Sequence, residues 1–265
     1  TNTNVMRAGS FYDANVSALQ TRLNSKDNTY FISGQTSVSN IFESQKVNTG
    51  FNTSLRLGKH TGNFIFNSGL FVESNRYNPN DLGFNPNNNK RVFDLTIGYR
   101  KFKPFWIFNQ LYSSLGFYYN RLYLPNVFTS AGLSGSLTLI NKKFNASGLD
   151  SYASLVDSYD YFEPRVENRY FVRPRWLDLN WWYSSNYQKR LALDASVSYT
   201  FIDRDGWQEY GFRISPRWRV SNRIFLIYDF DQTYSFNGQG YAIAFGSPSE
   251  SWNGILFGQR DRLNT

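Results

Sequence analysis

The stretch Arg190-Leu-Ala-Leu-Asp-Ala-Ser-Val-Ser-Tyr-Thr-Phe-Ile202, closed by the turn-like Asp203-Arg-Asp-Gly206, decides the fold. Leu191, Leu193, Ala195, Val197, Tyr199 and Phe201 share one parity, and Ala192, Asp194, Ser196, Ser198 and Thr200 share the other. A period of two is that of a strand with one apolar and one polar face. The next run sets Tyr210, Phe212, Ile214 and Trp218 against Gly211, Arg213, Ser215, Arg217 and Arg219. The third sets Ile224, Leu226, Tyr228, Phe230 and Tyr234 against Asp229, Asp231, Thr233 and Ser235. These runs exceed the roughly 5–6 residues of an ordinary strand and reach the roughly 9–11 of a tilted bilayer crossing. Long alternating strands joined by short turns predict a transmembrane β-barrel wall.

Working outward, strand candidates fall at 15–23, 30–42, 50–59, 63–74, 91–100, 105–120, 127–140, 144–156, 175–185, 190–202, 207–220, 223–236 and 252–259. The expected fold is therefore all-β, an antiparallel up-and-down barrel segment of roughly thirteen strands in one domain, 1–265. Short connections are expected at 25–28, 60–62, 101–104, 141–143, 186–189 and 221–222, alternating with longer ones at 43–49, 75–90, 121–126, 157–174 and 237–251. The 203–206 turn is short but takes the place of a long one. Outer-membrane barrels segregate short periplasmic turns from longer outer loops in this way. Aromatic residues gather at strand ends, Phe105 and Trp106 after a short turn, and Phe117, Tyr118 and Tyr119 before a longer loop, as at a headgroup belt. Pro216 interrupts a strand and implies a bulge or an end of pairing. The 144–156 run alternates badly, because Asp150 shares parity with Phe144 and Ala146.

Composition agrees. Aromatic residues make up 19% of the chain, yet its mean hydropathy is −0.50, so apolar residues must be interleaved with polar ones. No apolar run of about 18 residues predicts a transmembrane helix. With no cysteine and one histidine, disulfides and His/Cys metal centres are excluded. The net charge of +8 is spread over strands and turns instead of forming a basic tract, which argues against nucleic acid and suits an anionic neighbour such as lipopolysaccharide. The first residues, Thr1-Asn-Thr-Asn-Val-Met-Arg7, have no basic region followed by an apolar core, so they are not read as a signal peptide.

Four ordered motifs resemble one family: Glu73-Ser-Asn-Arg-Tyr-Asn-Pro-Asn-Asp-Leu-Gly-Phe84; Asp160-Tyr-Phe-Glu-Pro-Arg165 with Asn168-Arg-Tyr-Phe171; Ile214-Ser-Pro-Arg-Trp-Arg219; and Phe257-Gly-Gln-Arg-Asp-Arg262. They are similar to segments of a group of Bacteroidota outer-membrane β-barrel proteins. Members of that group carry an N-terminal domain like family 9 carbohydrate-binding modules. The resemblance runs over the whole chain and implies an interior part of a larger barrel, in the bacterial outer membrane, with further strands before Thr1 and after Thr265. It implies surface binding or passage of a solute, with a glycan as the expected class. The rivals are a structural anchor or subunit of an outer-membrane assembly, with other envelope proteins as partners, and a soluble carbohydrate-binding protein.

No catalytic residue or cofactor is expected. His60 lies in a turn with no marked triad partners. The 75–90 loop offers oxygen ligands for calcium, but its only carboxylate is Asp81, with Glu73 just before it, and Asn-Pro-Asn-Asp is also turn chemistry. The charged candidates on the polar faces are Arg213, Arg217, Arg219, Asp194, Asp229 and Asp231, which form either an ion-selecting surface or a cross-strand ladder. Counting from the 221–222 turn puts Arg219 opposite Ile224 and Arg213 opposite Phe230. Arg213 then flanks Asp229 and Asp231, while Arg217 and Arg219 lack an acid and are the better contacts for an anionic solute or a plug. Loop aromatics Tyr77, Phe84, Tyr159, Tyr161, Phe162, Tyr170 and Phe171 could stack on sugars or pack the loops.

Overall fold

The computed structural model describes residues 2–5, 12–43, 46–166, 169–204, 206–245 and 254–264. Among them every regular element is a β-strand. In chain order these are β1 (Asn2–Val5), β2 (Tyr12–Asn24), β3 (Tyr30–Glu43), β4 (Lys46–Lys59), β5 (Phe64–Glu73), β6 (Lys90–Lys101), β7 (Phe108–Leu122), β8 (Phe128–Asn141), β9 (Ala146–Ser154), β10 (Ser158–Asp160), β11 (Phe171–Arg173), β12 (Trp176–Ser184), β13 (Leu191–Ile202), β14 (Gln208–Arg219), β15 (Phe225–Ile227), β16 (Phe230–Phe245) and β17 (Gly254–Asn264). They make a fifteen-stranded antiparallel sheet in chain order, with β15 beside β14, and a separate β10–β11 hairpin. The sheet path has two ends, β1 and β17, so the described strands form an open antiparallel sheet that is not closed into a barrel. The backbone falls into two compact units, Thr1–Ile97 with Phe117–Ala131, and Gly98–Gly116 with Gly132–Thr265. No linker marks the boundary, which passes through β6, β7 and β8.

In the first unit, β3 and β4 pair without a break from Tyr30↔Lys59 to Glu43↔Lys46. The pairs Ile32↔Leu57 and Gly34↔Leu55 lie on one face, and Ser33↔Arg56, Ser37↔Asn52 and Ser39↔Gly50 on the other. The apolar face is the open one: Leu55, Leu57 and Leu70 are exposed, whereas Ser37 and Ser39 are only 4% and 1% exposed. That inverts the usual globular arrangement. The 74–89 loop covers part of the polar face. Tyr77 and Ser37 share a hydroxyl hydrogen bond of 3.0 Å, and Asn78 N–H donates to Ser39 Oγ at 3.0 Å. Gly50 is needed under this loop, since a Cβ there would lie 2.2 Å from the Arg76 carbonyl carbon.

The second unit repeats the inversion. In β13–β14 the pairs Leu191↔Trp218, Ala195↔Ile214, Val197↔Phe212 and Tyr199↔Tyr210 form the apolar face. Asp194↔Ser215, Ser196↔Arg213 and Thr200↔Glu209 form the polar face. Val197 is 55% exposed and Leu191 67%, while Ser215 is 1% exposed. The difficult β9 run resolves through its partner. Asp150↔Asn180 and Gly148↔Trp182 lie on the polar face, where the indole Nε1 of Trp182 donates to Asp150 Oδ2 at 3.1 Å. The ring sits over Gly148, at which a Cβ would come within 2.5 Å of it.

Pro216 breaks the ladder without shifting the register. Ile214↔Phe230 and Arg217↔Ile227 keep one register on either side of it. Tyr228 N–H donates to the Pro216 carbonyl at 3.1 Å, but proline has no N–H to return the bond. The facing strand therefore divides into β15 and β16, where the sequence pattern predicts one run over 223–236. Other expectations are also corrected. The 43–49 connection shrinks to 44–45, because β4 begins at Lys46, and the strict alternation of long and short connections fails there. The 237–251 loop gives way to β16 as far as Phe245; residues 246–253 lie outside the described set. β1, β10 and β11 were not expected, being only three or four residues long.

Candidate functional site

The charged candidates converge on the polar face of the second unit. Arg213 Nη2 donates to Asp229 Oδ1 at 2.7 Å and pairs in register with Asp231, one position from the sequence count. Both partners are more than half exposed, 53% and 54%, so water weakens the pair. Arg217 corrects the expectation that it lacks an acid. Its Nε lies 3.3 Å from Asp194 Oδ2, two positions along the neighbouring strand and off the hydrogen-bonding direction. Asp194 is a hub, accepting from Ser184 Oγ at 2.7 Å and from Tyr187 Oη at 2.6 Å. The diagonal step from Asp194 to Arg217 was not read from parity alone, which reports only the shared face. Arg219 keeps the expected character. Among the described residues no carboxylate lies within ion-pair distance, and it donates to the Tyr187 carbonyl at 3.4 Å.

Polar residues that were not singled out continue this surface. Thr200 Oγ1 donates to Asp178 Oδ2 at 2.7 Å, and Ser235 Oγ to Glu209 Oε1 at 2.8 Å. Their parity was readable in the sequence, but their partners depend on register.

The loop aromatics separate into two groups. Tyr77 and Phe171 are buried, at 8% and 5% exposure. Tyr77 fastens its loop to β3, and Phe171 packs 4.5 Å from Phe257 with the Arg204 guanidinium 5.6 Å from its ring. Phe84, Phe162 and Tyr170 remain exposed. Tyr170 meets Tyr159 at 5.1 Å and the half-buried Tyr161 at 5.3 Å. Burial and the two neighbouring tyrosines raise the Tyr161 phenol above its ordinary pKa. The rest of the 157–174 loop is held by charge. Arg173 bridges Asp160 at 2.9 Å and Glu163 at 3.7 Å, and Glu163 accepts from Tyr241 N–H at 2.9 Å. Burial would raise the Asp160 carboxyl, but the Phe162 and Glu163 amides and Arg173 outweigh it and hold it below its ordinary value. Asn168 of the second motif lies outside the described residues.

The 75–90 loop behaves as turn chemistry. Asn80 N–H donates to Asn78 Oδ1, and Asn85 N–H to Asn80 Oδ1. Glu73 is engaged by Asn52, Asn85 and Lys90. His60 sits in its turn with its ring 5.6 Å from Phe31.

The chain belongs to a family described as a domain of unknown function, DUF5916, whose model matches residues 1–265. No curated protein and no solved structure matches it.

Proposed function

We propose that this chain is part of the wall of an outer-membrane β-barrel in a Bacteroidota bacterium, surrounding or presenting a solute path, with glycans as the expected solute class. The observation that carries this reading is the inversion of polarity: large apolar side chains such as Leu191, Val197 and Leu55 lie open, while Ser37, Ser39, Ser154 and Ser215 are buried. A continuous apolar face of this extent is unusual on a soluble monomer. The lengths agree. The twelve residues of β13 reach about 40 Å at roughly 3.3 Å per residue. Tilted by about 45°, they cross about 28 Å, against a hydrocarbon core of about 30 Å. Further strands of the same protein would close the wall. Exposed Phe84, Phe162 and Tyr170 offer ring faces at loops for stacking on sugars.

Internal pairing of Arg213 with Asp229 and of Arg217 with Asp194 favours a second reading, a stiff anchor that conducts nothing. The full-length protein in planar bilayers separates the two, since conductance supports the path and its absence supports the anchor. Membrane location is tested by cysteines at Phe84 and Ser221 in intact cells. An impermeant maleimide is expected to label the first, on a long loop, and not the second, on a short turn. Recovery of the protein in the soluble fraction, or the reverse labelling, contradicts the reading.

A further inference from the structure

At the turn end of the second unit, Tyr187, Lys189, Arg190, Ala192, Arg217, Arg219, Phe225 and Ile227 line a half-open cavity of about 140 Å³. Its floor is Ala192, buried and too small to fill the space. Four of its eight lining residues are cations and none is an acid. No Asp or Glu occurs from Ser185 to Leu193 or from Ser215 to Tyr228, which together supply Lys189, Arg190, Arg217, Arg219 and Arg223.

The register makes this arrangement costly as it stands. Arg219 N–H donates to the Arg190 carbonyl at 2.9 Å, extending the ladder beyond Leu191↔Trp218, so the two arginines are direct cross-strand neighbours. Like charges at such positions destabilise a sheet. Asp194 offsets Arg217, and among the described residues no carboxylate lies within ion-pair distance of Lys189, Arg190 or Arg219. The guanidinium groups are also oriented. Arg217 lies 4.6 Å from the Tyr187 ring and Arg219 5.2 Å from the Phe225 ring. Stacking holds a guanidinium flat and leaves its N–H edge for an acceptor. The Nε of Arg219 is buried without a partner, which is unfavourable unless something supplies an acceptor.

We propose that this cavity is a binding site for one phosphate group, free or carried on a larger molecule. The space is ample for one oxyanion, and its four cations select for negative charge. Three uncompensated cations match a phosphate dianion better than a single carboxylate. Arginine forks suit phosphate oxygens, and lysine adds a point charge. The proposal needs water access to the polar face and stands apart from the membrane reading; should the protein prove soluble, the same titration runs in plain buffer.

The test is calorimetric titration of inorganic phosphate into the delipidated full-length protein in a non-ionic detergent, at constant ionic strength. Saturable binding is expected, weakening as salt rises. Affinity should fall about tenfold in Arg219→Gln, the range of one charge-assisted hydrogen bond. Arg219→Lys, which keeps the charge and the fold but loses the planar fork, should fall between the two. Lys26→Gln, in a turn of the first unit, should match the wild type. Phosphorus analysis before delipidation separates the sources: phospholipid retained by the wild type and lost from Arg219→Gln marks a lipid headgroup, and none retained marks a soluble phosphate. Absence of saturable binding, or equal affinity in wild type, Arg219→Gln and Arg219→Lys, overturns the proposal.

Discussion

The two faces of β13 and β14 are built from alternate residues of the same strands, yet they are held differently. On the apolar face, contacts are rings and aliphatic groups packed along the sheet, such as Tyr210 and Tyr234 stacked at 5.0 Å. Leu191, Val197 and Phe201 are each more than half exposed. On the polar face, Asp194 accepts from Ser184 and Tyr187 and lies in ion-pair distance of Arg217, and Ser215 is shut off from solvent. Around Asp194 the polar face thus supplies its own partners, while the apolar face depends on the surrounding medium. In water such a face costs free energy at about 25 cal/mol per Å² of apolar area; against lipid tails that cost disappears.

The largest effect that could break this contrast is a charge on the apolar face. Arg at Leu193 or Val197 should destabilise the protein in bilayers by about 2–4 kcal/mol near the midplane. Arg at Ser196 or Ser198, on the polar face, should cost under about 1 kcal/mol. Unfolding by denaturant from liposomes measures both, and equal tolerance would remove the distinction between the faces.

A smaller effect probes packing on the polar side. Gly148→Ala places a methyl group against the Trp182 ring. The ring must move off its bond to Asp150, at a cost of about 1–3 kcal/mol typical of overpacking. Tryptophan near-ultraviolet dichroism should change together with stability. An unchanged spectrum at wild-type stability would show that the ring is not held there.

The smallest effect is local and depends on pH. The Asp160 carboxyl lies below its ordinary value when folded. Its contribution is therefore fully present above the unfolded pKa of about 3.9 and is lost as pH falls through the lower folded value. Amide exchange across β10 and β11 should rise as pH drops below about 4, after correction for intrinsic rates. In Asp160→Asn it should already be fast at neutral pH. Protection that is independent of pH and intact in the variant would show that Phe171 packing alone holds the hairpin.

Much of this contrast was legible in the sequence. Parity alone assigned Leu193, Val197, Phe212 and Leu226 to one face and Arg213, Ser215 and Arg219 to the other, because a strand's side chains alternate whatever their partners. Register was only partly legible. Arg213 with Asp229 followed from a two-residue turn, but the pairing fell one residue away because the turn holds three residues, 221–223, closed by Val220 N–H on the Ile224 carbonyl at 3.0 Å. The tie between Arg217 and Asp194 is diagonal and crosses to the preceding strand, so parity did not report it. Loop burial was less legible still: Tyr77 and Phe84 sit in one motif, yet one is 8% exposed and the other 91%. That difference arises from a close approach to Gly50 in a separate strand.

The central claim, that one face of each strand meets lipid and the other water, is tested most directly by nitroxide labels at Val197 and Ser198 of the full-length protein in lipid bilayers. These neighbours lie on opposite faces of β13. Power-saturation measurements compare collision with oxygen, which concentrates in lipid, and with a water-soluble nickel chelate. High oxygen and low nickel accessibility are expected at Val197, with the reverse at Ser198. Nickel accessibility at Val197 equal to that at Ser198 would contradict the account.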